Sequence, residues 1–264
     1  MISIITPFFQ SEKYIEASIY SVLKQSFDDW ELLLINDGSY DQSKDIALSF
    51  KDPRIRYLEQ NNKGVSAARN FGLSKMKGQF FCFLDSDDIL TPNSLKSRIT
   101  IFNNNPKIHF VDGKVFKMNE SLNTINQEWL PKFNGNPMRD LVSLSGNSFL
   151  GLTWMVKRIT GKNYQFETQL THSEDLYFYL QLAREGGEYA YTKDPVLYYR
   201  DTPNSAMSKL KELENSYRFI EKRIKNWDEI DIELINTYQY RYKRAMFLAY
   251  LRNIQPINAI KSIF

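Results

Sequence analysis

Phe80-Phe81-Cys82-Phe83-Leu84-Asp85-Ser86-Asp87-Asp88 is the stretch whose reading decides the fold. Five apolar residues in a row fit a strand buried on both faces, as inside a parallel sheet. Three carboxylates follow within four residues. Along an extended chain, positions i and i+2 point the same way, so Asp85 and Asp87 can address one point in space. Like charges held close are unfavourable unless a cation sits between them or one is protonated. A hard divalent cation takes carboxylate oxygens, and ligands of open α/β sheets bind at the strand ends. Taken alone, the pattern also describes a solvated acidic turn in which Asp87 or Asp88 caps the next helix.

Upstream, Ile2 to Ile5 reads as a short strand ending at Thr6-Pro7, and Ser11 is placed to cap a helix carrying Ile15, Ile19, Val22 and Leu23. Trp30 to Ile35 is a second buried strand, again ending in an acidic turn, Asn36-Asp37-Gly38-Ser39. A helix over about 41–50, a strand over about 55–58 and a helix opening at Lys63-Gly64-Val65-Ser66 lead back to Phe80. The order β-α-β-α-β-α-β, with short connections, predicts right-handed crossovers and a parallel sheet with helices on both faces. Downstream, Thr91-Pro92 predicts a helix start with Leu95, Ile99 and Phe102 inward. Residues 108–118 read as extended, 119–137 as a loop, 138–144 as a short helix and 152–156 as extended. A helix over 173–184 opens on Ser173-Glu174-Asp175. Two short strands, 188–191 and 196–199, lead to the polar loop Arg200-Asp201-Thr202-Pro203-Asn204-Ser205, and the remainder from Lys209 is helical in pattern.

Composition excludes several classes. The 264 residues are 42% hydrophobic and 25% charged, as in an ordinary globular chain, and the net charge of +3 calls for no nucleic acid. The single Cys82 permits no intrachain disulfide and reads as a small buried hydrophobe. No apolar run approaches the about 20 residues of a membrane span, and Met1 leads straight into a strand, so a cytoplasmic protein is expected. Thr6-Pro7-Phe8-Phe9 is no G-x-G-x-x-G, and no G-x-x-x-x-G-K-[ST] occurs, which argues against a dinucleotide cofactor and against ATP or GTP hydrolysis. A helix opening at Gly64, with Arg69 in it, and acids at two neighbouring strand ends instead suit a nucleotide diphosphate with a metal.

Four segments carry a resemblance: Thr6-Pro7-Phe8 with Tyr14-Ile15, Asn36-Asp37-Gly38-Ser39-Tyr40-Asp41, Lys63 to Asn70, and Leu84-Asp85-Ser86-Asp87-Asp88. In this order and spacing they resemble the motifs of the family 2 glycosyltransferases. The match is close over about the first hundred residues, looser through Glu174-Asp175 to about Ser208, and absent from the C-terminal helices.

The resemblance implies a GT-A fold, a Rossmann-like, mostly parallel sheet, with a C-terminal helical extension. The catalytic domain would span 1–208, with a nucleotide-sugar half (1–105) and an acceptor half (106–208), and the extension 209–264. Thr6, Pro7, Phe8 and Asp37 would hold the uracil and ribose of a UDP-sugar. Lys63 and Arg69 would flank the uridine and phosphates, with Asp85 and Ser86 beside them. Asp87, with Asp85, would ligate Mn²⁺ or Mg²⁺. Enzymes of this family invert the anomeric centre in one displacement. The acceptor, a saccharide or lipid-linked saccharide, would lose its hydroxyl proton to Asp175, or to Glu174 as second choice. The same acids also suit a helix N-terminus without any catalytic role.

Relatives commonly offer a loop His as a metal ligand after a Tyr-Arg pair; here Tyr199-Arg200-Asp201 is followed by Thr202, which leaves Asp201 or water to complete the coordination. His172 is a second candidate contributor, and His109 reads as structural. Trp154 lies where acceptor sites are commonly built and could stack on a sugar or sit in the core. After Glu233 there is no acid, while Arg241, Lys243, Arg244, Arg252 and Lys261 alternate with Tyr238, Tyr240, Tyr242, Phe247, Leu248 and Leu251. Peripheral contact with a membrane, packing on the domain and packing on a second subunit all explain that pattern.

The expected function is therefore an inverting, metal-dependent glycosyltransferase of bacterial surface-polysaccharide assembly, such as lipopolysaccharide or capsule. A sugar nucleotidyltransferase is the enzyme rival; it should carry a Gly-rich, Arg-containing loop where this chain has Pro7-Phe8-Phe9-Gln10. A catalytically silent nucleotide-sugar-binding module is the other.

Overall fold

The computed structural model describes residues 1–202 and 209–263. The expected loop positions Pro203-Asn204-Ser205 and the division at 208 fall outside or at the edge of the described residues. The first half alternates as predicted: β1 (Ile2–Phe8), α1 (Ile15–Leu23), β2 (Trp30–Asn36), α2 (Ser43–Ser49), β3 (Ile55–Glu59), α3 (Val65–Lys75) and β4 (Phe80–Phe83). There follow β5 (Ile89–Leu90), α4 (Ser94–Asn104), β6 (Ile108–Met118), β7 (Ile125–Trp129), α5 (Met138–Val142), β8 (Met155–Lys157), α6 (Glu174–Arg184), β9 (Glu188–Arg200), α7 (Leu210–Ile224), α8 (Ile232–Arg252) and α9 (Pro256–Ile263).

The strands form one sheet in the order β3-β2-β1-β4-β8-β6-β9-β5, with β7 added to β6. β3, β2, β1 and β4 are mutually parallel, in a register that pairs Phe8 with Asn36 and Ile5 with Phe83. That register brings the carboxyl ends of β1, β2 and β4 to one edge, so Asp37 and Asp85 flank the end of β1. β8 runs antiparallel to β4 and β6, and β5 antiparallel to β9, while β6 and β9 are parallel. The chirality of βαβ crossovers governs the first half; the second half mixes directions.

Alternating side chains feed two cores, as a sheet buried on both faces requires. Ile5, Leu33, Phe81 and Phe83 face a layer with Leu73 of α3 and Phe178 of α6. Ile4, Leu32, Cys82 and Leu84 face the other, with Ile19 of α1 and Leu95 and Phe102 of α4. Cys82 is buried, as expected. The first core continues without a break into Leu213 and Ile220 of α7 and Tyr238, Tyr242 and Met246 of α8. Of the three explanations for the C-terminal pattern, packing on the domain therefore accounts for Tyr238 and Tyr242.

Several local expectations change. Ser11 does not cap α1: Tyr14 precedes the helix, the Ser11 carbonyl accepts from the Tyr14 and Ile15 amides, and its hydroxyl lies 2.8 Å from that of Ser86. Thr91-Pro92 is not the start of α4, which begins at Ser94; the Thr91 hydroxyl donates instead to the Pro195 carbonyl of β9. The region read as a loop over 119–137 contains β7, hairpinned onto β6 and mostly exposed, so no apolar alternation announces it. The two short strands are one, β9, whose register shifts against β6 around Gly113 and Lys114 accommodate Pro195.

Candidate active site at the carboxyl edge of the sheet

Two adjoining clefts open at this edge. One, of about 610 Å³, is walled by Pro7, Phe8, Tyr14, Asp37 and Ser86. The other, of about 480 Å³, is walled by Leu150, Gly151, His172, Glu174, Asp175, Tyr199, Arg200 and Tyr217. Val65, Arg69, Asp85 and Asp87 line both. Either volume lies in the range of small-ligand sites, and the acidic stretch after β4 is their common wall.

In the first cleft the buried Asp37 organises the turn that opens α3. One carboxylate oxygen accepts from Gln60 Nε2 (2.8 Å) and the Lys63 amide (2.9 Å), the other from the Gly64 amide (2.9 Å). Gly64 stands at φ 87°, a left-handed conformation that favours glycine, and hands the chain into the helix at Val65. A carboxylate has about four lone-pair sites, so three bonds leave Asp37 room for one more donor. Thr6 is buried in β1 and the Lys63 side chain is exposed, and neither is among the residues that line these two clefts. The Lys63 backbone amide serves the Asp37 carboxylate.

The shared wall is held from three sides. Arg69, buried in α3, donates from Nη2 to Asp85 Oδ1 (2.9 Å) and from Nη1 to Glu174 Oε1 (2.8 Å), tying β4 to α6. Asp88, which the sequence left unassigned, accepts from the Arg200 amide at 2.8 Å and is buried. The Arg200 guanidinium donates from Nε to the Asp87 carbonyl (2.6 Å), reaches the Glu120 carbonyl and lies over the Tyr14 ring. β9 thus buttresses the acidic turn. Asp88 is an anchor and not a helix cap.

This crowding of acids has an electrostatic cost. Burial, then the Asp85 charge, pushes the Asp87 carboxyl up to about 6. Burial, then Asp87 and Asp85, raises Asp88 well above the ordinary carboxylate range. Burial, then Glu174, raises Asp175 to about 7. Asp85 and Asp87 are hard oxygen donors on a shared wall, and added positive charge there relieves their repulsion. Among the described residues no group of three or more His, Cys, Asp or Glu side chains could enclose a metal ion. Asp85 and Asp87 are the two carboxylates on this wall that could hold a divalent cation. Thr202 and Asp201 line the second cleft near this wall, and His172, whose Nδ1 lies 3.0 Å from the Thr171 hydroxyl, lines it too.

Glu174 and Asp175 differ in what engages them. Glu174 is committed to Arg69, whereas Asp175 Oδ1 accepts the Leu176 amide and its Oδ2 points toward Gly151 across the cleft. Both are presented by Ser173, a non-glycine residue at φ 53°. Such strain is concentrated where geometry serves function.

Of the two places open to Trp154, a sugar platform and the core, it takes the core. It is fully buried, its ring stacks on Tyr179 at 4.1 Å between centroids, and Nε1 donates to the Ser148 carbonyl at 2.7 Å. No face is left for a sugar. Trp154→Ala is expected to cost about 3–5 kcal/mol, as removal of a large core aromatic does; a urea unfolding midpoint unchanged from wild type would contradict this assignment. Arg200, quoted in the sequence only as part of the Tyr199-Arg200 pair, and Tyr217, which no local signal singled out, are both cleft residues. Tyr217 arrives from α7, in the region the motifs do not reach, and hydrogen-bonds with Ser173.

A parallel sheet half, a helix opening beside an acidic strand end and a second acidic cleft across from it define the GT-A class of sugar-transferring α/β proteins. The chain belongs to the family described as Glycosyl transferase family 2, whose model matches residues 3–159, and it is a glycosyltransferase. It is 35% identical, over 70% of either chain, to the Escherichia coli UDP-Glc:alpha-D-GlcNAc-diphosphoundecaprenol beta-1,3-glucosyltransferase WfgD. Its fold is similar to that of S. aureus TarS 1-349 in complex with UDP-GlcNAc (TM-score 0.71, 17% identity, covering 99% of this chain and 90% of that one). It is also similar to that of the Pyrobaculum calidifontis mannosyltransferase PcManGT in complex with GDP-Man and Mn²⁺ (TM-score 0.67, 13% identity, 99% and 73% covered).

Proposed function

We propose that the protein moves a sugar from a UDP-sugar to a hydroxyl of a saccharide or lipid-linked saccharide, by one inverting displacement. The observation that carries this reading is the pair of clefts meeting at Asp85 and Asp87, with Asp37 in one and Asp175 in the other. The first takes the nucleotide: Asp37 accepts from the base, Pro7 and Phe8 pack beside it, and Ser86 lies toward the ribose. The open first turn of α3 offers backbone N–H groups to the diphosphate. The second takes the acceptor between Gly151, Tyr199 and Tyr217.

Asp175 removes the proton from the acceptor hydroxyl as its oxygen forms a bond to the anomeric carbon. The bond from that carbon to the phosphate oxygen breaks on the opposite face, and the nucleoside diphosphate leaves with the electron pair. Asp87 with Asp85 would hold a Mn²⁺ or Mg²⁺ ion, which would supply positive charge to offset that of the departing diphosphate. Arg69 keeps Asp85 and Glu174 at fixed separation across the junction. The UDP-glucose donor and diphosphoundecaprenol-linked acceptor in the WfgD name support a UDP-sugar and a lipid-linked acceptor, and with them a place in polysaccharide assembly. No described helix is long and apolar enough to cross a membrane.

A panel of nucleotide-sugars screened for thermal stabilisation tests the donor reading. With Mn²⁺ or Mg²⁺ present, one UDP-sugar at a hundred times its Kd should stabilise the protein by about 2.7 kcal/mol. EDTA, or Asp87→Ala, should remove most of that gain. A flat panel sinks the proposal, and a full response in EDTA sinks the role given to Asp87.

A further inference from the structure

We propose that the end of α8 and the outer face of α9 form a docking surface for an anionic lipid bilayer. Helix α9 buries Ala259 and Ser262, while Ile257, Ile260 and Ile263 recur at intervals of three and stay exposed. Leu248 and Leu251 at the end of α8 and Ile254 in the connection add to them. The exposure is large, 89% for Ile254 and 68% for Ile257. Ile254 also stands at φ 57°, a left-handed conformation that a β-branched side chain rarely adopts and that glycine or asparagine would take with less strain. Folding stability alone gives no reason for an isoleucine there.

Charge selects the occupant. From Leu234 onward the sequence has no Asp or Glu, and Arg241, Arg244, Arg252 and Lys261 are exposed on these two helices. A two-fold contact between copies would set this patch against itself and bring its cations together. An anionic bilayer offers what the patch lacks, negative headgroups for the cations beside hydrocarbon for the isoleucines. Two of the aromatic residues in this pattern belong to the core: Tyr238 and Tyr242 are buried, and Tyr242 stacks on Tyr217 of α7 at 5.7 Å between centroids, whereas Tyr240 is exposed. Tyr217 also lines the second cleft, so α8 packs on a helix that reaches the site. The docking itself does not depend on the donor assignment.

The full chain should sediment with vesicles of equal parts phosphatidylglycerol and phosphatidylcholine, bind pure phosphatidylcholine vesicles much less, and be partly released by raised salt. Ile257→Glu with Ile260→Glu should weaken binding more than tenfold. Arg244→Glu with Arg252→Glu should weaken it by about fivefold or more per position on phosphatidylglycerol vesicles. Both variants should keep the wild-type melting temperature and the wild-type stabilisation by a nucleotide-sugar. No binding by the wild type overturns the proposal. So does binding by the isoleucine variant equal to wild type, or a wild-type dimer that the isoleucine variant splits into monomers with vesicle binding unchanged. A flat nucleotide-sugar panel would leave the vesicle result standing, so the two proposals fail separately.

Discussion

Asp175→Asn is expected to lower kcat by about 10³-fold while leaving nucleotide-sugar affinity close to wild type, the range expected when a general base is lost. The side chain is nearly isosteric, so α6 and its start at Ser173 should persist. What disappears is a proton acceptor facing the cleft in which the acceptor hydroxyl would sit. Glu174→Gln should cost less in kcat and more in stability, because its carboxylate is paired with Arg69 at 2.8 Å. The pH dependence follows from burial, and then from the Glu174 charge, which together hold Asp175 at about 7. Only the ionised form takes a proton, so kcat should rise with pH through about 7 and level off above it.

Stability should run the other way. From the model-peptide value near 4 up to about 7, the unfolded chain has lost the Asp175 proton while the folded chain retains it, so this residue's contribution to stability falls as pH rises across that window. Asp175→Asn should therefore melt higher than wild type at pH 8. A pH–rate profile without an acid limb, or a variant with wild-type kcat, would remove Asp175 from the mechanism.

Arg69→Met should destabilise the protein by about 3–5 kcal/mol, the usual result of removing one partner from a buried ion pair. The guanidinium is buried, bonded to both Asp85 and Glu174, and lies near the Phe166 ring. Its removal leaves two carboxylates facing each other beside Asp87 and Asp175. Adding Glu174→Gln to Arg69→Met should recover part of the loss, because one unpaired charge then becomes a neutral amide. Such a cycle, read by urea unfolding, isolates the coupling. Strict additivity would mean that the bridge is not what holds the two clefts in register. Donor binding should weaken as well, because Asp85 would no longer be held at the junction.

The two acids after β4 illustrate how much of the site was legible. Their place at a strand end follows from an apolar run ending in carboxylates, and Asp37 follows from the same pattern one strand earlier. The parallel order of β1, β2, β3 and β4 was equally open to reading, since βαβ chirality leaves few alternatives. The second half resisted. β7 carries polar, exposed residues, β5 is two residues long, and Trp154 looks the same in a one-dimensional sequence whether it lines a cleft or stacks on Tyr179. Thr6 belonged to a matching motif, yet how deeply it is buried depends on what packs against β1, which a motif does not state.

By itself, then, the sequence determined the fold of the first half, the family and the acids at the strand ends, because these rest on local periodicity and on motifs within short segments. Only the tertiary structure decided how the acids divide their work. Arg69 reaches a carboxylate 105 positions away, Arg200 braces an acidic turn 112 positions before it, and α7 brings Tyr217 to a cleft built mostly by earlier segments. Contacts across such separations come from packing of the whole chain and leave no periodic trace. Whether Glu174 is paired and Asp175 is held protonated near neutral pH depends on burial and on the neighbouring charge, and burial is a property of the folded molecule alone.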